Sequence, residues 1–187
     1  MLTIDYRIIC RDDEGMPGAA GFFKITCGQL EYGEYWPPEI ERHMATYWLM
    51  PWFQSMAEAL LVLKEKRYAA ILDIENSRGW LEFAYAEDRV YLNIADAGAD
   101  AHPSFIHRGE SERFPEDVPR RFAVDVACAY RQFRDEIILK TTRYLSEVLA
   151  LNPGILAAPA PRDSEQAAFR ADVERLRQAL TKLSPLH

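Results

Sequence analysis

Cysteine is scarce in this chain of 187 residues, and what there is stands badly for chemistry: Cys10, Cys27 and Cys128 are far apart and form no C-x-x-C pair. That spacing excludes a disulfide scaffold or a cysteine-rich zinc module and reads as buried thiols in a reducing compartment. None of the nine glycines falls in a G-x-G-x-x-G or Walker pattern, so the usual backbone cradles for nucleotide phosphates are missing. No window reaches the roughly 18 uninterrupted apolar residues that cross a bilayer. The start, Met1-Leu2-Thr3-Ile4-Asp5-Tyr6-Arg7, is broken by Asp5 and Arg7 and resembles neither a leader nor an anchor. Positive charge is also in deficit. With 22 Lys and Arg against 29 Asp and Glu, the formal net charge of -7 opposes attraction to phosphate backbones and anionic lipid. Neither nucleic acid nor membrane is an expected partner, and the expected location is cytoplasmic.

Histidine is equally thin. The four are His43, His102, His107 and His187, and none is tied by spacing to a cysteine or serine nucleophile. Asp96, Asp100, His102 and His107 share a glycine-containing loop without the spacing that fixes a metal. The carboxylate pairs Glu39/Glu41 and Asp73/Glu75 are of a kind common on ordinary surfaces. No catalytic residue, metal or cofactor is therefore assigned, and the chain is read as a non-enzyme.

What is present is ordinary globular composition, 49% apolar and 27% charged, enough for one domain with a full core. Leu2 to Cys10 alternates as a half-buried strand, the run from Asp12 to Gly18 turns, and Ala20 to Cys27 returns as a hairpin partner. A turn at Tyr32-Gly33 and the pair Pro37-Pro38 precede two expected helices, Glu39 to Trp48 and Pro51 to Lys66. Tyr68 to Ile74, Trp80 to Tyr85 and Arg89 to Ile94 read as a three-strand meander, Leu81 and Phe83 facing one way and Trp80 and Glu82 the other. Ala95 to Pro119 reads as a long surface loop. Arg121 to Val126 extends briefly, and a principal helix runs from about Asp125 to the stop at Asn152-Pro153-Gly154.

The expected organisation is a single α+β domain over 1–156, an antiparallel sheet packed against a long helix. A Pro/Ala linker (157–163) and a C-terminal helix (164–187) follow. Phe169, Val173, Leu176, Leu180 and Leu183 form a narrow stripe on that helix, suited to docking on the same chain or to a homodimer.

The feature most suggestive of function is the stretch from Glu31 to Glu58, where Tyr32, Tyr35, Trp36, Tyr47, Trp48, Trp52 and Phe53 stand among five glutamates and one arginine. Some of these rings belong in a core. Burying all of them beside Pro37, Pro38 and Pro51 is difficult, so the stretch is expected to contribute a contact patch. The candidate partner-binding residues are Glu31, Glu34, Tyr35, Trp36, Glu39, Glu41, Tyr47 and Trp48. Rings supply contact area and carboxylates supply steering toward a basic surface.

A family likeness lies over residues 76 to 150. It is carried by Arg78-Gly79-Trp80-Leu81-Glu82-Phe83, by Asp88-Arg89-Val90-Tyr91-Leu92, and by Val118-Pro119 before a helix containing Ala129-Tyr130-Arg131-Gln132-Phe133-Arg134. This layout resembles small uncharacterised bacterial α+β proteins and the immunity proteins of polymorphic or contact-delivered toxin systems. The upstream run from Phe23 to Cys27 into Gly28 and Gly33 is similar to such proteins as well. The resemblance implies a cytoplasmic protein that binds and occludes a cognate toxin, and it transfers no functional residue to a position here. Two other readings stand beside it. One is an inhibitor or adaptor for another protein, for example of phage origin. The other is a small-ligand hydrolase using His43 or the His102 and His107 loop.

Overall fold

A computed structural model describes residues 1–10, 16–40, 44, 46–73, 79–97, 106–156 and 164–183. The class is α+β, with two antiparallel sheets and three helices among those residues. The hairpin and the meander read from the sequence are both present, each in its own sheet.

The first sheet begins with β1 (Leu2–Ile8) and β2 (Ala20–Cys27), registered from Leu2 opposite Cys27 to Ile8 opposite Gly21. Because β1 stops at Ile8, Cys10 lies beyond the strand and is exposed, unlike buried Cys27 and Cys128. The outer edge of β1 faces a helix: the Ile4 backbone N–H donates to Glu136 Oε1 at 2.8 Å. Capping of that kind blunts an edge that could otherwise pair with another chain.

Gly28, with φ of 58°, turns the chain into β3 (Leu30–Glu34). The turn expected at Tyr32-Gly33 is strand instead. Tyr32 pairs with Ile25 and is buried, while Gly33 takes φ of 82° at a point where a Cβ would collide with the Phe23 carbonyl. Its glycine serves close strand approach rather than reversal.

The helix expected over 39–48 is also replaced. Pro37 to Ile40 form a turn, closed by Ile40 N–H donating to the Pro37 carbonyl at 3.2 Å, and β4 (Tyr47–Trp48) pairs with Gly21 and Ala20. Gly21 already pairs with β1, so β4 shares with β3 the second edge of β2. That edge offers unpaired backbone groups, and satisfying them outweighs local helical preference.

Helix α1 (Leu49–Lys66) follows at once and ends on Arg67 in a left-handed conformation, its N–H returning to the Leu63 carbonyl. Leu49, Met50, Trp52, Phe53, Met56, Ala57, Ala59, Leu60 and Leu63 are buried, more than one face of a helix can supply. The reason is position, since α1 contacts both sheets and both other helices. Phe23 stacks on Trp52 at 5.0 Å and Phe53 on Tyr144 at 4.3 Å, so the two last rings of the aromatic stretch are core. Each fully buried side chain of this size contributes roughly 1.5–3 kcal/mol.

The second sheet has the order β8-β5-β6-β7-β9. Its centre is β5 (Tyr68–Leu72), β6 (Gly79–Ala86) and β7 (Arg89–Asp96), the last two joined through Glu87 and Asp88 with φ of 52° and 57°. Two positive φ values in succession define the tight hairpin turn that matches strand twist. The long loop expected over 95–119 is corrected at Ile106–Arg108, which form β8 against β5. The strand expected over 121–126 lies later, as β9 (Val126–Ala129) on β7.

Helix α2 (Tyr130–Leu151) leaves β9 directly and stops at Asn152, whose Nδ2 donates to the carbonyls of Pro17 and Val148. Helix α3 (Ser164–Leu183) packs on α1 and α2 with Phe169, Val173, Leu176 and Leu183 buried. The proposed linker, 157–163, lies outside the described residues. None of the described helices is long and apolar enough to cross a membrane.

Candidate functional site

In β2, Phe23, Ile25 and Cys27 point into the central core, so Phe22 points the other way. It is nevertheless 0% exposed. Its cover begins with Arg7, the residue opposite it on β1, whose guanidinium carbon lies 5.3 Å from the Phe22 ring centre and 5.2 Å from that of Tyr35. Tyr35 itself meets Phe22 edge-on at 6.5 Å. Arg7 Nη2 then donates to the Trp36 carbonyl at 2.6 Å, and the Trp36 indole N–H donates to Glu34 Oε2 at 2.9 Å.

This packing buries Phe22 and leaves other apolar groups outside. Trp48 is 53% exposed, Tyr35 42% and Ile40 39%. Trp48 pairs with Ala20, two residues from Phe22 along β2, which puts it diagonally across from Phe22 on the same face, roughly 7–8 Å away. Glu34, Tyr35 and Trp36 are linked to one another through Arg7 and the indole bond, and Trp48 stands on the Phe22 side of β2. Glu39 is exposed on the adjoining turn. Glu31 lies farther along the face, its charge paired with Lys24 at 2.9 Å. Tyr47 is half-buried and packs inward against the core, being one residue out of phase with Trp48. Glu41 and His43 lie outside the described residues. Arg7 and Phe22 were missed, although the adjacent pair Phe22-Phe23 in an alternating strand signals burial on both faces.

The outer face of the second sheet is built differently. Tyr68, Ala70, Leu72, Trp80 and Ala95 form a small apolar cluster under Phe114, whose ring meets Trp80 at 5.3 Å. Beside it Glu82 is buried. Its Oε1 accepts from the Tyr68 hydroxyl at 2.7 Å and from Arg120 Nη2 at 3.3 Å, and its Oε2 accepts from Arg120 Nε at 2.9 Å. Arg120 also donates to the carbonyls of Phe114, Pro115 and Val118. Burial, and then the charge of Glu82, push the Tyr68 hydroxyl well above the ordinary tyrosine value. Asn93 is used from both ends, donating to Phe122 O and Asp125 Oδ1 and accepting from Ile94 N and Phe122 N.

A shallow cleft of about 220 Å³, counting the part open to solvent, lies beside this network and is lined by Ala84, Tyr91, Arg113 and Asp125 with the paired groups. Because Glu82 and Asn93 are committed to neighbours, the network holds residues 113–122 in place and leaves little for a reaction to use.

No family model, curated protein or solved structure matches this chain.

Two thiols remain to be placed. Cys27, at the end of β2, and Cys128, in β9, hydrogen-bond where the two sheets meet; that bond draws the Cys27 thiol down to about 7, while donating it and burial push Cys128 up. Both belong to the central core. Among the described residues no three His, Cys, Asp or Glu side chains converge as metal ligands. His102 is outside the described residues, and His107 pairs through its backbone with Ala70 in β8.

Proposed function

We propose that this chain is an immunity protein, binding a cognate bacterial toxin in the cytoplasm and occluding its active site. The observation that carries the reading is the exposure of three large apolar side chains, Trp48, Tyr35 and Ile40, in one stretch of chain that also exposes Glu34 and Glu39. Hydrated rings of this size favour a partner, and aromatic anchors surrounded by polar groups are the usual source of tight association between proteins. The formal charge of -7 suits a partner whose cleft is basic, as the cleft of an enzyme that attacks nucleic acid would be. The polar cleft on the second sheet favours an enzyme less, since its buried groups are already paired.

The test uses the protein as bait against a lysate of its source at low and high salt, with Trp48→Ala and Glu39→Arg in parallel, followed by assay of the captured partner for toxicity. A single basic, toxic partner is expected, released as salt rises. Trp48→Ala should weaken it by at least about 2 kcal/mol, roughly thirtyfold in Kd. A partner held equally well by both variants would place the contact elsewhere, and a captured partner without toxicity would mark the chain as an adaptor or an inhibitor of another kind.

A further inference from the structure

Trp36 is held from both ends. Its carbonyl accepts from Arg7 Nη2 at 2.6 Å, and its indole N–H donates to Glu34 Oε2 at 2.9 Å. Arg7 is in turn gripped by the rings of Phe22 and Tyr35, each a little over 5 Å from the guanidinium carbon. It sits at its own fixed place on β1, where a Cβ on Gly21 would collide with the Arg7 carbonyl. Beyond Glu34, which pairs with Phe23, Tyr35 and Trp36 have no further strand register to order them.

From this arrangement we infer that Arg7 and Glu34 are positioning residues that preform the recognition face by fixing Trp36, with Glu34 acting first as an acceptor for the indole rather than as a charge offered to the partner. The inference rests on reading this face as the partner site. Its chemistry is specific. A guanidinium presents flat faces to two rings and an N–H edge to a carbonyl at once, which a lysine cannot do. A carboxylate or a carboxamide oxygen at position 34 can accept the indole N–H, but a methyl group cannot. A preformed face binds without first ordering its rings, so losing either support raises the cost of association.

The experiment separates geometry from charge. Acrylamide quenching of tryptophan fluorescence is read in a Trp48→Phe background, where Trp36 is the responsive indole because Trp52 and Trp80 are buried. Arg7→Met and Glu34→Ala should each raise the quenching constant about twofold, and Glu34→Gln should leave it unchanged. With Trp48 restored, Glu34→Ala and Arg7→Met should weaken binding of the captured partner about tenfold, and Glu34→Gln less than about threefold. Equal losses for Glu34→Gln and Glu34→Ala, with quenching unaltered, would show that Glu34 acts by charge and overturn the inference. Should Arg7→Met fail to fold, the Glu34 pair decides alone. If quenching responds as expected while Trp48→Ala leaves binding intact, the clamp on Trp36 stands and the assignment of the face as the partner site fails.

Discussion

Each sheet turns one face away from the helices, and on each an arginine decides what that face becomes. Arg120 points its donors at one carboxylate and three loop carbonyls, drawing Phe114 and Val118 over Trp80 and closing the face. Arg7 lies between two rings and donates to the carbonyl of Trp36, and Tyr35, the outer of those rings, stays in contact with water while Phe22 is covered. The difference lies in what surrounds the guanidinium. A buried carboxylate demands full pairing and pulls polar backbone around itself, whereas aromatic faces ask only for contact and leave their far sides open. Closure serves stability on one sheet, and incomplete closure creates a surface on the other.

The largest break in this comparison should come from Arg120→Met. Glu82 would be left charged and buried beside Tyr68, a loss of about 3–5 kcal/mol in urea unfolding. Adding Glu82→Leu to the same molecule should recover part of that loss, because an apolar pair carries no stranded charge. An intact midpoint in Arg120→Met would mean that the loop is held by other contacts.

A matched pair of ring deletions tests the same contrast at lower amplitude. Phe114→Ala uncovers Trp80 and should cost about 3 kcal/mol. Tyr35→Ala, on the open face, should cost about 1 kcal/mol or less. Equal losses would erase the distinction between a structural roof and an exposed patch.

The closed face also has an effect of pH, smaller than the loss of Phe114. The raised pKa of the Tyr68 hydroxyl means that the folded state prefers the neutral phenol, so its contribution is complete below the ordinary tyrosine value of about 10 and is lost as pH rises beyond it. Between pH 9 and 11 this one group should remove about 1.4 kcal/mol of stability. Tyr6 and Tyr144 are shifted the same way, so the difference between wild type and Tyr68→Phe isolates the share of the closed face. Parallel pH profiles for the two proteins would contradict the role given to Tyr68.

Periodicity made the long elements legible. Alternation marked β1, β2 and the meander, and helical spacing marked α1, α2 and α3, because in these segments one side chain after another meets the same environment. β3, β4 and β8 were missed since each is short and owes its conformation to a neighbouring edge, not to its own pattern. Trp48 seemed to continue a helix until Ala20 was seen to claim its backbone. The two arginines were invisible for a related reason. Arg7 finds its carbonyl 29 residues away and Arg120 its carboxylate 38 residues away, distances across which one sequence offers no periodic clue. Glu34 was among the candidate residues, but its bond to Trp36 depends on a local path that residue type alone does not specify.

The place of α3 has a consequence during synthesis. Helix α1 ends at Lys66, but the helix that covers one side of it, touching at Gln54 through the Asp172 carbonyl, ends at Leu183. At the usual pace of translation the intervening chain takes on the order of ten seconds to appear. Throughout that interval an apolar side of α1 waits for its partner, so a chain stalled before residue 164 would lack the helix that covers it and present that side to its surroundings.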